Sequence, residues 1–237
     1  MDPQFVLIPV MAAAGLVQAV SGFGSALVAM PILAQLFGTR TAAPMFAVAA
    51  ITGEAFMILK YRHALTFERV WRLILASVIA IPIGIFGSPH VDERAMLFVL
   101  GVFVFLFALY ALFGPRMPRL LHPAWAYPFG FISGLFSGAF NTGGPPFVIY
   151  GTTQGWTPTT FKANLQGVFV IGSVTLIISH ALKGNFTETV IGLTVLAVPS
   201  FLAGIFIGSS LDGYVDAAKF RRGVLFMLLL LGLTLIF

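Results

Sequence analysis

The sequence predicts an all-α polytopic membrane protein made of two homologous halves, and three observations predict it. Hydrophobic residues form 59% of the 237-residue chain and charged residues only 9%, whereas soluble domains carry about a quarter charged residues. The apolar residues are grouped in long runs. Short motifs from the first half of the chain recur in the same order in the second half. Together these features exclude an ordinary soluble domain.

Six apolar runs supply the membrane-spanning helices. A helix needs about 20 residues to cross a hydrocarbon core of about 30 Å. The six runs approach that length and share a single ionisable residue, Glu54. Three spans are therefore predicted in each half: Ala42–Leu59, Leu73–Gly87 and Ala95–Phe113 in the first, and Ala163–Ser179, Val190–Ile207 and Gly223–Phe237 in the second.

Recurring motifs define the two halves. His-Ala-Leu stands at residues 63–65 and again at 180–182, and Gly-Ile-Phe stands at 84–86 and again at 204–206. Each half also contains an early glycine-rich, weakly polar stretch, SGFGSA at 21–26 and NTGGPP at 141–146. We therefore predict a first transmembrane repeat at residues 1–113, a cytoplasmic linker at 114–123 and a second transmembrane repeat at 124–237.

The distribution of lysine and arginine favours inverted halves, because cytoplasmic loops carry an excess of these residues. If each half is a broken-helix hairpin followed by three spans, it crosses the membrane an odd number of times, and three basic loops all face the cytoplasm. Parallel halves of four spans each would leave fewer basic residues inside and would place KFRR at 219–222 outside. In the inverted arrangement the loops at 60–72, 114–123 and 211–222 hold most of the basic residues: Lys60, Arg62, Arg69, Arg72, Arg116, Arg119, Lys219, Arg221 and Arg222.

The two glycine-rich stretches interrupt hydrophobic segments at matching places, Phe5–Phe37 and Trp125–Gly151. Each flanking piece is predicted to have about 14–17 residues, or about 21–25 Å of helix, which is short of a full crossing. Lipid cannot satisfy the free N–H and C=O groups of such a break, so it has to be buried in protein or line an aqueous cavity. Interrupted segments at corresponding places in two halves are typical of a transporter's substrate site. The alternative interpretation is that these residues serve only close packing and helix kinking.

The residues at the breaks predict an anion-binding site. Gly143 and Gly144 can adopt a positive φ and let a ligand approach the backbone, while Pro145 and Pro146 suit the first turn of a new helix. The N-terminus of that helix presents free N–H groups and a partial positive charge, which favour an anion. The predicted substrate-binding residues are Ser21, Gly22, Gly24, Ser25, Asn141, Thr142, Gly143, Gly144, Lys162 and Gln166.

Two ionisable residues near or within the hydrophobic segments each have two interpretations. Lys162 is a candidate cationic partner for the anion, with Gln166 one turn deeper, or else a lysine that reaches the membrane interface. Glu54 is a candidate for proton coupling, since carboxylates inside a membrane are costly and commonly functional, or else it pairs with Lys60 near the interface. No metal site and no cofactor are predicted, and the chain has no cysteine.

Two stretches of the sequence resemble a known family. SGFGSALVAMPIL at 21–33 together with GLFSGAFNTGGPPFVIYGTTQGW at 134–156 is similar to the TauE/SafE family of sulfite-exporter-like membrane permeases. The resemblance covers essentially the whole chain. It implies a multi-pass protein of the bacterial inner membrane that moves sulfite or organosulfonate-type anions. Many relatives carry three consecutive glycines where Phe23-Gly24-Ser25 stand here, so the first break is expected to be shaped differently.

The expected function is secondary transport, with export of a small sulfur-containing anion by alternating access around the two breaks. An anion channel and a non-transporting binding or structural subunit of the membrane are the alternatives. No catalytic set of residues is recognisable in the sequence, so an enzyme is not expected. The expected partners are a small anionic substrate and the lipid bilayer, with a homodimer as a further option. Nucleic acid is not expected, because the basic residues sit in short loops between spans.

Overall fold

The computed structural model of the protein describes residues 3–115, 117–211, 214 and 216–237. Arg116, one of the basic residues counted above, lies outside the described residues, as do Asp212, Gly213 and Val215 of the loop at 211–222. The described residues form ten α-helices and no β-strand. The helices are α1 Pro3–Ser21, α2 Ser25–Phe37, α3 Thr39–Tyr61, α4 Phe67–Gly87, α5 Glu93–Phe113, α6 Ala126–Phe140, α7 Gly144–Thr153, α8 Pro158–Leu182, α9 Glu188–Leu211 and α10 Ala217–Ile236.

Five helices among the described residues, α3, α4, α5, α8 and α9, are long and apolar enough to cross a membrane. They contain five of the six predicted spans, so the prediction of an all-helical protein with several membrane spans is confirmed. The sixth predicted span, apart from its last residue Phe237, lies within α10. This helix begins with a basic turn that contains Lys219, Arg221 and Arg222, and it is not among the five.

Both predicted breaks are present as short non-helical links, at residues 22–24 between α1 and α2 and at 141–143 between α6 and α7. The helices around them differ in length from the prediction. Helix α1 has 19 residues and α6 has 15, but α2 has only 13 and α7 only 10. At 1.5 Å per residue, α2 and α7 reach about 20 Å and about 15 Å, well short of a bilayer core.

Glycines allow α6 to pack closely on α4. A methyl group added at Gly130 would lie 2.5 Å from the backbone oxygen of Leu73, and one added at Gly134 would lie 2.5 Å from that of Ser77. Small residues that let helix backbones approach are a common basis of helix association in membranes. Helix α6 is therefore held along its length against a helix that precedes it in the chain.

Helices α1 and α9 also pack closely through glycine residues. A methyl group at Gly15 or Gly204 would overlap a backbone oxygen of the facing helix, that of Phe201 or of Ala12. In each predicted repeat, then, the first helix packs on the fourth helix of the other repeat.

Helices α3 and α8 lie at the centre of the molecule. They pack on each other, and α3 also packs on α9 while α8 also packs on α4. Of the five candidate spans, α3 is the most enclosed by protein. Helices α5 and α10 form a separate pair, in which Gly101 faces Leu235 and Gly232 faces Phe105. This arrangement leaves the two breaks beside the central helices.

We expect Gly134→Ala to destabilise the protein. The added methyl group would meet the backbone of α4, which cannot move aside as a flexible side chain can, and overpacking of this kind costs about 1–3 kcal/mol. Thermal unfolding of the detergent-solubilised protein would measure the loss as a lowered Tm.

Gly192→Ala is the matched control, because Gly192 lies in α9 and nothing lies within 4 Å of its added methyl group. Its Tm should be unchanged or slightly raised, since alanine favours a helix more than glycine does. Equal Tm values for the two variants would contradict the close α4–α6 contact.

Candidate functional site

The two breaks line one cavity, named here the central cavity. The space that the centre of a water molecule can reach inside it is about 50 Å³. Its wall combines backbone from both breaks, small hydroxyl side chains and three phenylalanines. The lining residues are Gln18, Gly24, Ser25, Ala26, Leu27, Phe46, Ala50, Glu54, Ser77, Ser137, Asn141, Thr142, Gly143, Gly144, Phe147, Val168, Phe169, Gly172, Ser173 and Leu176.

The first break is shaped by glycine. Gly22 and Gly24 have φ values of 78° and 97°, a conformation that L side chains rarely adopt. Helix α2 begins directly after Gly24, and its first four N–H groups have no partner inside the helix by geometry, except where a cap supplies one. No side chain among the described residues caps this helix start. The N–H groups of Ser25, Ala26 and Leu27 are therefore donors at the wall of the central cavity.

A chain of buried side-chain hydrogen bonds ties the first break to α8. Ser25 Oγ donates to Gln18 Oε1 (2.9 Å), and Gln18 Nε2 donates to Gln166 Oε1 (3.4 Å). Gln166 Nε2 in turn donates to the Gly22 carbonyl oxygen (2.8 Å). Because Ser25 commits its O–H to Gln18, the donor it offers the cavity is its backbone N–H. The network also satisfies a carbonyl that the break removes from regular helix.

The second break is shaped by Asn141 rather than by glycine. Asn141 is left-handed, with φ 59°, and its N–H donates to the Ser137 carbonyl (2.7 Å), which closes the C-terminus of α6 in the manner of a left-handed cap. Its side-chain Nδ2 donates to the Ala43 carbonyl on α3 (2.9 Å). The positive φ that the sequence analysis allowed for Gly143 and Gly144 was wrong, since Gly143 has φ −73° and Gly144 is not among the positive-φ glycines.

Gly143 is required for a different reason, which is space. A methyl group there would overlap Ser137 Oγ and the Ser133 carbonyl oxygen. Ser133 Oγ donates to the Gly143 carbonyl, a buried bond that fixes the link against α6. At Gly144, by contrast, an added methyl group would have its nearest neighbour at 3.9 Å. The link at 141–143 is therefore held tightly against α6 at Gly143, while space remains beside Gly144.

The start of α7 offers fewer donors than the start of α2. Pro145 and Pro146 occupy its first turn and carry no N–H, so Gly144 supplies the free amide there. A side chain adds to it: Thr142 is 1% exposed, and its Oγ1 has no hydrogen-bond partner in the described part of the chain. A buried hydroxyl without a partner is costly, so Thr142 Oγ1 is a candidate to form a hydrogen bond with a ligand in the cavity.

Glu54 contributes the carboxyl group of the central cavity. It is 7% exposed, and a hydrogen bond joins it to Ser173. Its Oε2 atom is buried without a partner among the described residues, as is Ser77 Oγ across the same cavity wall. Among the described lining residues Glu54 is the ionisable one. Glu54 thus lies beside the two breaks.

The structure places most, but not all, of the predicted substrate-binding residues on the central cavity. Gly24, Ser25, Asn141, Thr142, Gly143 and Gly144 line it. Gln166 and Gly22 lie behind this wall, joined by the bond described above. The stem of Lys162 lies against Gly22, and its Nζ is 5.6 Å from the centre of the Tyr61 ring. Ser21 faces a separate small pocket that Arg221 also lines.

Four polar lining residues were missed from the sequence: Gln18, Ser77, Ser137 and Ser173. Gln18 carried a usable signal, because an amide inside an apolar segment needs a buried partner. The three serines carried none, since serine is common in membrane helices for packing alone.

Comparison with known proteins gives one match. A family model described as "Sulfite exporter TauE/SafE" matches residues 7–235, nearly the whole chain. No curated protein and no solved structure gives a significant match.

We expect Gln166→Leu to lower the stability of the protein. The substitution leaves the Gly22 carbonyl and the Gln18 amide buried without their partners, and each orphaned group costs about 1–3 kcal/mol. Thermal unfolding in detergent would register the loss as a lowered Tm.

Gln35→Leu is the matched control. Gln35 is exposed and its amide bonds only to Pro31 within its own helix, so its replacement should leave Tm nearly unchanged. If Gln166→Leu proved as stable as Gln35→Leu, the hydrogen-bond chain would not hold the first break.

Proposed function

Since the chain belongs to the TauE/SafE sulfite exporter family of membrane transporters, we propose that it is a secondary transporter that exports a small sulfur-containing anion, such as sulfite or an organosulfonate, across a bacterial inner membrane. The observation that carries the proposal is the central cavity, where two broken helices from different parts of the chain meet. Breaks of this kind at membrane depth are the usual substrate sites of secondary transporters.

The donors of the central cavity suit an oxyanion. The free N–H groups at the start of α2, the amide of Gly144 and the hydroxyls of Thr142 and Ser77 can point at oxygen atoms, and both helix starts add a partial positive charge. No lysine or arginine is among the described lining residues. Binding by neutral donors supports transport rather than tight capture, since a transported ion has to leave again.

The size of the cavity supports a small substrate. A cavity needs about 10–15 Å³ that the centre of a water molecule can reach in order to hold one water. The central cavity has about 50 Å³ of this kind, which accommodates a group the size of sulfite, with its sulfur and three oxygens. The phenylalanine walls provide an apolar surface for a short organic group. A bulky aromatic sulfonate would require the cavity to widen.

Contacts at the breaks support two hairpins. Helix α1 packs on α2, and α6 packs on α7. Gln154, just after α7, donates through Nε2 to the carbonyl of Leu120, which precedes α6 (3.0 Å). Both ends of this unit therefore lie at the same end of the molecule, as a re-entrant pair requires.

The directions of α3 and α8 support inverted halves. The N–H of Thr66, just after α3, donates to Asn164 in the first turns of α8 (2.8 Å). At the other end, Arg40 at the start of α3 and Lys183 after α8 line one pocket. The two helices are equivalent members of the two predicted repeats, and they run in opposite directions. This opposite orientation supports the proposal of an inverted repeat.

The basic loops support a cytoplasmic position for the start of α8. The loop at 60–72 meets α8 through Thr66, and the guanidinium of Arg119 in the linker lies against Gly155. Arg221 lies over the ring of Phe23, beside the Gly22 that Lys162 covers. With this end inside, the membrane potential favours export by about 2.3 kcal/mol per 100 mV for each net negative charge that leaves, after any accompanying proton is counted.

Two contacts are the proposed gates of alternating access. On the cytoplasmic side, Gln166 and Lys162 cover Gly22; on the other side, Asn141 bonds to Ala43. Each contact joins a break to a central helix. Opening one while the other stays closed would expose the central cavity to one side at a time.

We expect Thr142→Val to raise the KM for sulfite about tenfold or more in proteoliposome efflux. A hydrogen bond to a charged ligand contributes about 1.5–3 kcal/mol, and about 1.4 kcal/mol is tenfold. Because no described protein group bonds to the Thr142 hydroxyl, valine leaves no orphaned partner, and folding should be unaffected.

Thr234→Val is the matched control, since that hydroxyl is exposed and bonds within its own helix. A channel would give flux without saturation or counterflow, and a non-transporting subunit would give no flux in the wild type. Equal KM values for both variants would remove Thr142 from the substrate site.

Glu54→Gln should uncouple proton movement from sulfite movement. An anion and an ionised carboxylate repel each other within so small a cavity, so substrate binding favours the protonated acid and a proton travels with the anion. A pH-sensitive dye inside proteoliposomes would report proton flux during sulfite efflux. Glu188→Gln, at the start of α9, is the control and should retain that flux. Unchanged proton flux in Glu54→Gln would exclude Glu54 as the carrier.

A further inference from the structure

A second polar pocket lies at the far end of α8 from Lys162. It occupies about 170 Å³ on the same measure as the central cavity, between the start of α3 and the ends of α4, α6 and α8. Arg40, His180, Lys183 and Asn185 give it a basic and polar lining. None of the residues predicted from the sequence to bind substrate lines this pocket.

His180 is buried in this lining with half of its ring unsatisfied. It is 4% exposed, and its Nδ1 lies 2.8 Å from the side-chain Nδ2 of Asn185. When the Asn185 amide donates to Nδ1, the neutral ring carries its proton on Nε2. That Nε2 has no hydrogen-bond partner among the described residues. The ring therefore holds a buried donor that lacks an acceptor.

Lys183 and Arg40 bring positive charge to the same pocket. Burial and then the neighbouring charge of Arg40 lower the pKa of Lys183, as expected where two cations lie close together. Lys183 Nζ donates to the Ile85 carbonyl at the end of α4, which uses one of its three N–H bonds. A carboxylate nearby, that of Glu93, accepts from Thr39 N (2.6 Å) and Thr39 Oγ1 (3.2 Å).

Capping of α4 explains part of this arrangement but not all of it. A lysine is favourable beside the last carbonyls of a helix, and the bond to Ile85 provides that. The cap does not account for the unpartnered donor on His180. An anionic ligand would accept from Nε2 and would bring negative charge beside Lys183.

We propose that this pocket is a second anion-binding site, which takes a small oxyanion group: free sulfite, sulfate or phosphate, or the phosphate of a lipid headgroup. One hydrogen bond separates it from the central cavity, because Ala43 lines the pocket and its carbonyl accepts from Asn141. As a free-anion site it would be the outer mouth of the transport path. That role rests on the proposed function, whereas the anion binding itself does not.

The test follows His180 directly by nuclear magnetic resonance. The chain has four histidines, and His63, His90 and His122 are exposed, so a variant with these three changed to Gln leaves His180 as the one imidazole signal. The ¹⁵N-labelled protein would be titrated in detergent with sulfite, sulfate and phosphate. We expect a saturable shift of the Nε2 resonance. The shift should require at least tenfold more anion in Lys183→Gln or Arg40→Gln.

Lys219→Gln and Thr142→Val are the controls. Lys219 is exposed, pairs with Asp216 and does not line this pocket, so Lys219→Gln removes one positive charge at a distance from the pocket. Thr142→Val changes the central cavity alone. Both should keep the wild-type titration. A shift that persisted unchanged in Lys183→Gln and Arg40→Gln, or no shift with any anion or lipid, would overturn the site.

A parallel titration in nanodiscs with phosphatidylglycerol separates the two sources of the oxyanion. A shift from the lipid alone would support the anion site and overturn its role as a mouth. If the protein failed to transport sulfite while His180 still responded to free anions, the proposed function would fail and the second site would stand.

Discussion

The structure depends on one constraint: a polypeptide that breaks its helix inside a bilayer has to satisfy every exposed N–H and C=O group from its own atoms or from a bound ligand. The first break meets it through Gln18 and Gln166, which supply side-chain bonds in place of the missing helical ones. The second meets it through Asn141 and Ser133. Thr142 Oγ1 at the second break and Glu54 Oε2 beside it remain without a partner among the described residues, and both residues line the central cavity.

The central cavity contains groups that attract an anion and one carboxyl group that repels an anion when ionised. Helix starts and hydroxyl donors favour negative charge, while Glu54 brings a carboxyl group whose second oxygen has no partner among the described residues. A site made of lysine or arginine would hold an anion more strongly and release it more slowly. In the proposed mechanism, neutral donors beside one titratable acid make the occupancy of the cavity depend on protonation of Glu54.

Much of this arrangement could be predicted from the sequence. Composition and apolar runs were sufficient for an all-helical membrane protein, and the glycine-rich stretches located both breaks, because few residues other than glycine tolerate the backbone of Gly22 and Gly24. The details of the second break could not be predicted. Asparagine also adopts the left-handed conformation, so Asn141 has the positive φ that was expected for a glycine. Gly143 is needed because Ser137 leaves no room for a side chain there, and no local sequence pattern reveals that contact.

The same limit applies to Lys162, Gln166 and the second pocket. The sequence indicates that Lys162 and Gln166 lie near a break, but the face of a helix that meets the cavity is decided by packing between helices distant in the chain. His180 and Arg40 lie far apart in sequence and meet only because α3 and α8 run side by side. Properties that arise from a single segment were therefore predictable, and properties of paired segments were not.

The packing of α1 on α9 and of α6 on α4 affects the order of assembly. A chain is synthesised from its N-terminus, so α6 finds α4 already in the membrane when it emerges. Helix α1 has to wait for α9, whose Phe201 and Gly204 cover Gly15 and Ala12. During that interval its glycine face lies against lipid or a chaperone. A premature stop before α9 would thus leave α1 without its main packing partner, so a truncation late in the chain would destabilise the first helix.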